Sequence, residues 1–181
     1  MVIKYVDIEE QVDADFTRAR HRASLRRLKS RLRNDRSPGG LLSFEETRKA
    51  LGAFNKVRLG GRVVPVERIV GSVGRTRDFD RAFLPARAST GTKWKRIDRA
   101  FHRGQELPPV MLYKIGEAYF VEDGNHRVSV ARYQGVEWID AEVTELYPRV
   151  PADLAGTERG DRRWSPLPRR VVSGRERSAA A

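Results

Sequence analysis

The spacing of apolar residues changes period along the chain, and each change predicts an element. From Asp15 to Arg33, "DFTRARHRASLRRLKSRLR" holds good helix formers and neither Pro nor Gly, so a helix is expected. Leu25, Leu28 and Leu32 share one face, while Phe16, Ala19 and Ala23 fall almost opposite. Two thin apolar stripes among many arginines describe a partly docked arm rather than a core helix. "NDRSPGG" stops it. Ser43 followed by Glu46 has capping-box spacing and predicts a short helix in "SFEETRKALGAF", ending near Gly52, with Phe44, Leu51 and Phe54 covering one side of a sheet. Val63 to Val70 reads as an edge strand and a short turn, because Pro65 cannot donate to a ladder.

After a glycine-loosened, arginine-bearing loop, "GSVGRTRDFDRAFLPA", Thr92 is positioned to cap "KWKRIDRAFHRG". Trp94, Ile97 and Phe101 form its apolar face and Gly104 its end. From Leu107 the period becomes two. "LPPVMLYKIGEAYFVEDG" predicts strand, turn at Gly116, strand, with Val110, Leu112, Tyr119 and Val121 inward. "NHRVSVARYQG" predicts a helix of about three turns closed by Gly135. "VEWIDAEVTEL" predicts a last strand, with Ile139, Ala141 and Val143 on one side. From Pro148 onward there are four prolines, scattered arginines and no period, which predicts a disordered tail over 148–181.

Charge changes this picture more than composition does. Residues 16–36 carry nine Lys/Arg against one acid, and residues 149–181 carry eight against four, within a total of +12 over 181 residues. Basic flanks favour polyanions, because neutralised phosphates release counterions; they also keep a chain soluble without any partner. The absence of cysteine removes disulfides, thiolate metal sites and thiol nucleophiles, and fits a reducing cytoplasm. No apolar run reaches the roughly 20 residues of a membrane span, and the first residues lack a signal-peptide layout.

The densest chemistry is "VEDGNHRVSVARYQG", Val121 to Gly135, where a predicted strand runs through a glycine into a predicted helix. Amides at a helix start are unpaired and partly positive, so an anion fits there. Gly124 permits close backbone approach, the amides of Asn125, His126 and Arg127 cradle phosphate oxygens, and His126 and Arg127 add side-chain donors. Asp123 and His126 are the candidate catalytic pair, by proton transfer or, for Asp123, by holding a metal ion. Taken alone, Asp-Gly is a common turn and Asn125 an ordinary N-cap. Arg75 and Arg77, beside Gly71 and Gly74, offer a second phosphate clamp, or are merely solvated. No Walker A or G-x-G-x-x-G motif is present, and His21, His102 and His126 are too dispersed for a recognisable metal motif.

Residues from about 62 to 146 resemble the ParB/sulfiredoxin superfamily. "VPVERIVGS" is similar to its opening segment, and "PPVMLYKIGEAYFVEDGNHRVSVARYQGVEWIDAEV" to its later strand-turn-strand-loop-helix-strand unit with D-G-x-x-R. The resemblance implies a small α+β domain with helices packed on a mixed sheet; with the pattern of the residues before it, the expected organisation is a basic helical arm at 1–40 and this domain at 41–147. It also implies a nucleotide such as CTP or ATP bound at Gly124, Asn125, His126 and Arg127, with Mg2+ as the companion ion. Asn125 stands where ParB proteins carry an acid and sulfiredoxins their catalytic cysteine, so the sulfiredoxin reaction is excluded. Three functions follow as expectations: a nucleotide-binding protein, with binding favoured over turnover; a nucleic-acid-binding or nuclease-like module gripping phosphates through Arg18, Arg22, Arg26, Arg27, Lys29 and Arg33; or a non-catalytic adaptor. A homodimer contact through the basic helix is a further expectation.

Overall fold

The computed structural model describes residues 7–33 and 40–148, so the expected tail lies outside the described residues apart from its first residue, Pro148, which ends a strand. Helix α1 spans Ile8–Leu32, strand β1 Leu42–Ser43, helix α2 Phe44–Ala50, strand β2 Ala53–Pro65 and strand β3 Ile69–Ser72. Helix α3 spans Gly91–His102, strands β4 and β5 Val110–Ile115 and Ala118–Asp123, helix α4 Asn125–Gln134 and strand β6 Trp138–Pro148. The strands form one six-stranded sheet in the order β1-β3-β5-β4-β6-β2. β1, β3 and β5 run parallel, β4 is antiparallel to β5 and parallel to β6, and β2 closes the far edge antiparallel to β6. This is a mixed α+β fold, as expected.

Alternation along the strands divides the apolar residues between two faces. Val110, Leu112, Val121, Ala141 and Val143 enter the larger core with Phe16, Trp94 and Val128. Ile115, Phe120 and Leu146, one residue out of phase, meet Phe44 and Ala53 in a smaller core. Phe44 stacks on Tyr113 at 4.6 Å, and the Ser43 hydroxyl accepts from the Glu46 amide at 3.3 Å, fixing the start of α2. Leu51 and Phe54 are exposed rather than packed. Gly71 is required where β1, β3 and β5 meet, since a Cβ there would lie 2.4 Å from Phe120 and 2.5 Å from the Leu42 carbonyl.

Three expectations are corrected. The first helix starts at Ile8, seven residues before Asp15, and Val12, Phe16, Ala19 and Ala23 are buried. Phe16 lies 5.5 Å from Trp94, so this half of α1 is a wall of the core, whereas Leu25, Leu28 and Leu32 are exposed. The edge strand and short turn expected over Val63–Val70 are present as the end of β2 and a 3-10 turn at Val66–Arg68, but Ile69 and Val70 already belong to β3, across the sheet from β2. Pro65 ends the β2–β6 ladder, and the Val66 amide turns to the Glu137 carbonyl at 2.9 Å. Thr92 lies inside α3, whose start is preceded by a 3-10 turn at Ala88–Thr90. Its centre is fixed by the buried Trp94 indole N–H, which donates to Ser129 at 2.9 Å.

Candidate functional site

The parallel pair β3 and β5 sets the site, because the loops that leave their C-terminal ends lie side by side. After β5 the chain passes Gly124 at φ +99° and enters α4. A Cβ at Gly124 would lie 2.7 Å from Val110 and 3.0 Å from the Arg127 guanidinium, so the glycine serves close packing against the chain itself. After β3, Ser72 accepts from the Arg75 amide at 3.3 Å and donates to the Val121 carbonyl at 3.3 Å. That hydroxyl ties the Arg75 loop to β5.

Arg127 folds back over the turn. Its Nη2 donates to Asp123 Oδ2 at 2.6 Å, and its Nη1 donates to the carbonyls of Pro108 and Pro109, the latter at 2.8 Å. Its side chain is 12% exposed, against 69% for Asp123. The sequence-predicted phosphate donor is thus also the latch between the β5–α4 turn and the entry to β4.

Beside this latch opens a cleft of about 560 Å³. Its wall on one side is Gly124, Asn125, His126 and Arg127; on the other, α3 contributes Lys93, Arg96, Arg99 and Arg103. Arg75 also reaches it, which makes six cations against the single carboxylate of Asp123. Arg99 is paired with Glu9 of α1 and Arg75 with Asp78. Lys93, Arg96 and Arg103 form no ion pair with a described residue. The amides of Asn125, His126 and Arg127 have no described acceptor, and no side chain caps α4. Asn125 is 7% exposed with Oδ1 unpartnered, and both ring nitrogens of His126 are buried without a partner.

Burial pushes the His126 imidazole down to about 4, with the Arg75, Lys93 and Arg96 charges adding and Asp78 opposing. His126 is therefore neutral at pH 7, packed edge-on against Phe79 at 5.4 Å, and presents one donor and one acceptor.

The structure brings Asp123, Gly124, Asn125, His126, Arg127 and Arg75 to one cleft. Arg77 is exposed and does not line it. On α1, Arg18, Arg22, Arg26, Lys29 and Arg33 fall within about 80° of one another at about 100° per residue, and Arg27 faces away. Arg22 lies over the Tyr133 ring at 5.2 Å, and Arg18 leans toward Asp15 at 3.6 Å. Sequence reasoning missed the cations of α3. Their signal was present: Arg96, Arg99 and Arg103 recur at i, i+3 and i+7, opposite Trp94 and Ile97.

The molecule is defined at this point as an α+β domain with a cationic cleft at the ends of parallel strands. No family model matches the chain, and no curated protein does. Among solved structures, sulfiredoxin from Arabidopsis thaliana is similar at 19% identity over 50% of this chain and 84% of that one, with a TM-score of 0.33. An overlap that small carries no argument about function.

Proposed function

We propose that the cleft binds a phosphate-bearing small molecule, a nucleotide, at the start of α4. The observation that carries this reading is the row of uncapped amides at Asn125, His126 and Arg127, facing a cleft with six cations and one carboxylate. Oriented amides and helix-terminal dipoles favour an anion without neutralising it, and the unpaired Lys93, Arg96 and Arg103 supply the countercharge. A volume of about 560 Å³ suits a mononucleotide. His126 has unpartnered nitrogens for a phosphate oxygen or a ribose hydroxyl. Asp123 is largely exposed, so its carboxylate is the group here that would hold a Mg2+ ion accompanying the nucleotide, which would supply charge neutralisation to the phosphates. Binding is the reading; hydrolysis or transfer through Asp123 and His126 is its extension.

A screen of nucleotides with and without Mg2+ by thermal unfolding tests it, since a ligand that binds only the folded chain raises the melting point. A specific rise for one nucleotide, lost in Lys93→Ala/Arg96→Ala, is expected. No rise with any nucleotide at millimolar concentration overturns the reading.

A second reading rests on the exposed cationic stripe of α1, from Arg18 to Arg33, which follows a phosphate backbone. Deleting residues 1–36 does not test it, because Val12, Phe16, Ala19 and Ala23 would leave the core. Replacing Arg22, Arg26 and Lys29 with Gln does: nucleic-acid affinity and its salt slope should both fall.

A further inference from the structure

Away from the cleft, the seam between α1, α3 and α4 buries two carboxylates beside an imidazole. Asp15 is 3% exposed and Asp98 0% exposed. Asp98 and His102 stand one helical turn apart on α3, Asp15 arrives from α1, and the three ligating atoms lie within 4.8 Å of one another. We propose that Asp15, Asp98 and His102 form a binding site for one divalent transition-metal ion of zinc-like chemistry.

The hydrogen bonds around the seam leave a specific gap. The Tyr133 hydroxyl donates to Asp15 Oδ1 at 2.9 Å, and Gln134 Nε2 donates to Asp98 Oδ1 at 2.8 Å. Gln11 Nε2 donates to both oxygens of Asp15 at 3.2 Å, and Gln134 Nε2 also reaches Asp15 Oδ2 at 3.5 Å, so Asp15 is well supplied with donors and the gap lies at Asp98. Asp15 Oδ2 meets His102 Nε2 at 2.9 Å. Asp98 Oδ2 is buried without a hydrogen-bond partner among the described residues, and its polar neighbour is His102 Nε2 at 3.6 Å. A buried carboxylate oxygen without a donor is costly to keep, and the gap calls for a proton or a cation.

Charge points the same way. Besides His102, which is a cation only when protonated, the Lys or Arg paired with these carboxylates among the described residues is Arg18, 3.6 Å from Asp15 and 57% exposed, so with a neutral imidazole no Lys or Arg of the described residues pairs with Asp98. A dication neutralises both. Metal–ligand bonds of about 2.0–2.2 Å place neighbouring donors about 3 Å apart, so the seam closes on an ion with little movement once His102 gives up its Nε2 proton. Tyr133 and Gln134 then act as the outer shell that orients the ligating carboxylates. The His102 side chain is 24% exposed, which opens a path for the ion and for the water that completes its coordination. An imidazole with two carboxylates favours Zn2+ over Mg2+, which prefers all-oxygen, water-rich coordination. None of the three residues lines the cationic cleft, so this site stands independently of the nucleotide reading.

The test uses the untagged full chain, stripped of metal by a chelator and titrated with Zn2+ by calorimetry and thermal unfolding. One equivalent bound at micromolar concentration or tighter, with a melting-point rise of several degrees and no response to Mg2+, is expected. Asp98→Asn, which keeps shape and removes the orphan charge, should weaken binding at least tenfold, as should His102→Gln; His21→Gln and His126→Gln should not. Should His102→Gln fail to fold, Asp98→Asn decides alone. The proposal is overturned by a wild-type chain that takes up no stoichiometric Zn2+, or by Asp98→Asn binding as wild type. It is equally overturned if Asp98→Asn raises the metal-free melting point while the wild type ignores Zn2+, since the buried oxygen then holds a proton and not an ion.

Discussion

Arg127 Nη2 lies 2.6 Å from Asp123 Oδ2, yet the two partners are unequally buried, and the arginine also holds the carbonyls of two successive prolines. The exposed carboxylate is the minor anchor. Arg127→Ala should therefore cost about 1–3 kcal/mol of stability, the range for hydrogen bonds to a charged donor. Asp123→Asn should cost less than about 1 kcal/mol, as for an exposed pair. Urea denaturation of both variants checks the order; equal losses would show that the ion pair, and not the carbonyls, holds the turn.

Gly124 combines φ +99° with a neighbour that leaves no room for a Cβ. Gly124→Ala should destabilise by about 1–3 kcal/mol through backbone strain and the clash with Val110. The same denaturation experiment reads it, and nucleotide response should weaken along with stability because the amide row starts at the next residue, Asn125.

Lys93 and Arg96 are exposed and form no ion pair with a described residue, so changing both to Ala should leave the ligand-free melting point within about a degree, on the small scale of surface substitutions. Any nucleotide-induced rise should vanish. An unchanged rise would place the ligand elsewhere.

His126 sets a pH dependence. Its folded value of about 4 lies below the ordinary value of 6.5, so the unfolded chain binds more protons between the two. Stability contributed by the neutral imidazole is present above pH 6.5 and is lost as pH falls toward 4. Asp80 and Asp98, whose carboxyls burial pushes up, act in the opposite sense at the acid end. The difference between wild type and His126→Gln isolates the histidine: across that window the wild type should lose stability relative to the variant. A bound phosphate supplies an opposite charge to the imidazolium, so ligand binding near pH 5.5 should take up protons, which calorimetry in buffers of different ionisation enthalpy measures.

The strand, turn and helix pattern from Val110 to Val143 was legible because short runs rich in β-branched and aromatic residues are punctuated by Gly116, Gly124 and Gly135. β2 was not, because an edge strand turns polar residues both ways and Gly60–Gly61 interrupts its register beside a bulge. The core role of α1 was hidden for another reason. Its buried stripe is built of Val12, Phe16 and two alanines, and begins among acids, whereas the conspicuous leucines point to solvent. At the site, the DGNHR turn could be read as a helix entry with free amides. That Arg127 would fold back on Pro108 and Pro109, or that α3 would face the turn, depends on contacts between segments distant in sequence. The Asp15–Asp98–His102 group is of the same kind, since 83 residues separate its first two members.

α3 shows what such distance conceals. Its Trp94 side is core, its Arg96 and Arg99 side, continued by Arg103 at the C-cap, lines the cationic cleft, and its Asp98 and His102 side meets α1 and α4. A single rod of 12 residues thereby separates oil, cation and carboxylate into three longitudinal sectors. Random substitution along it should show tolerance that rises and falls with the angular coordinate, so one short cassette library would report on packing, ligand and ion at once.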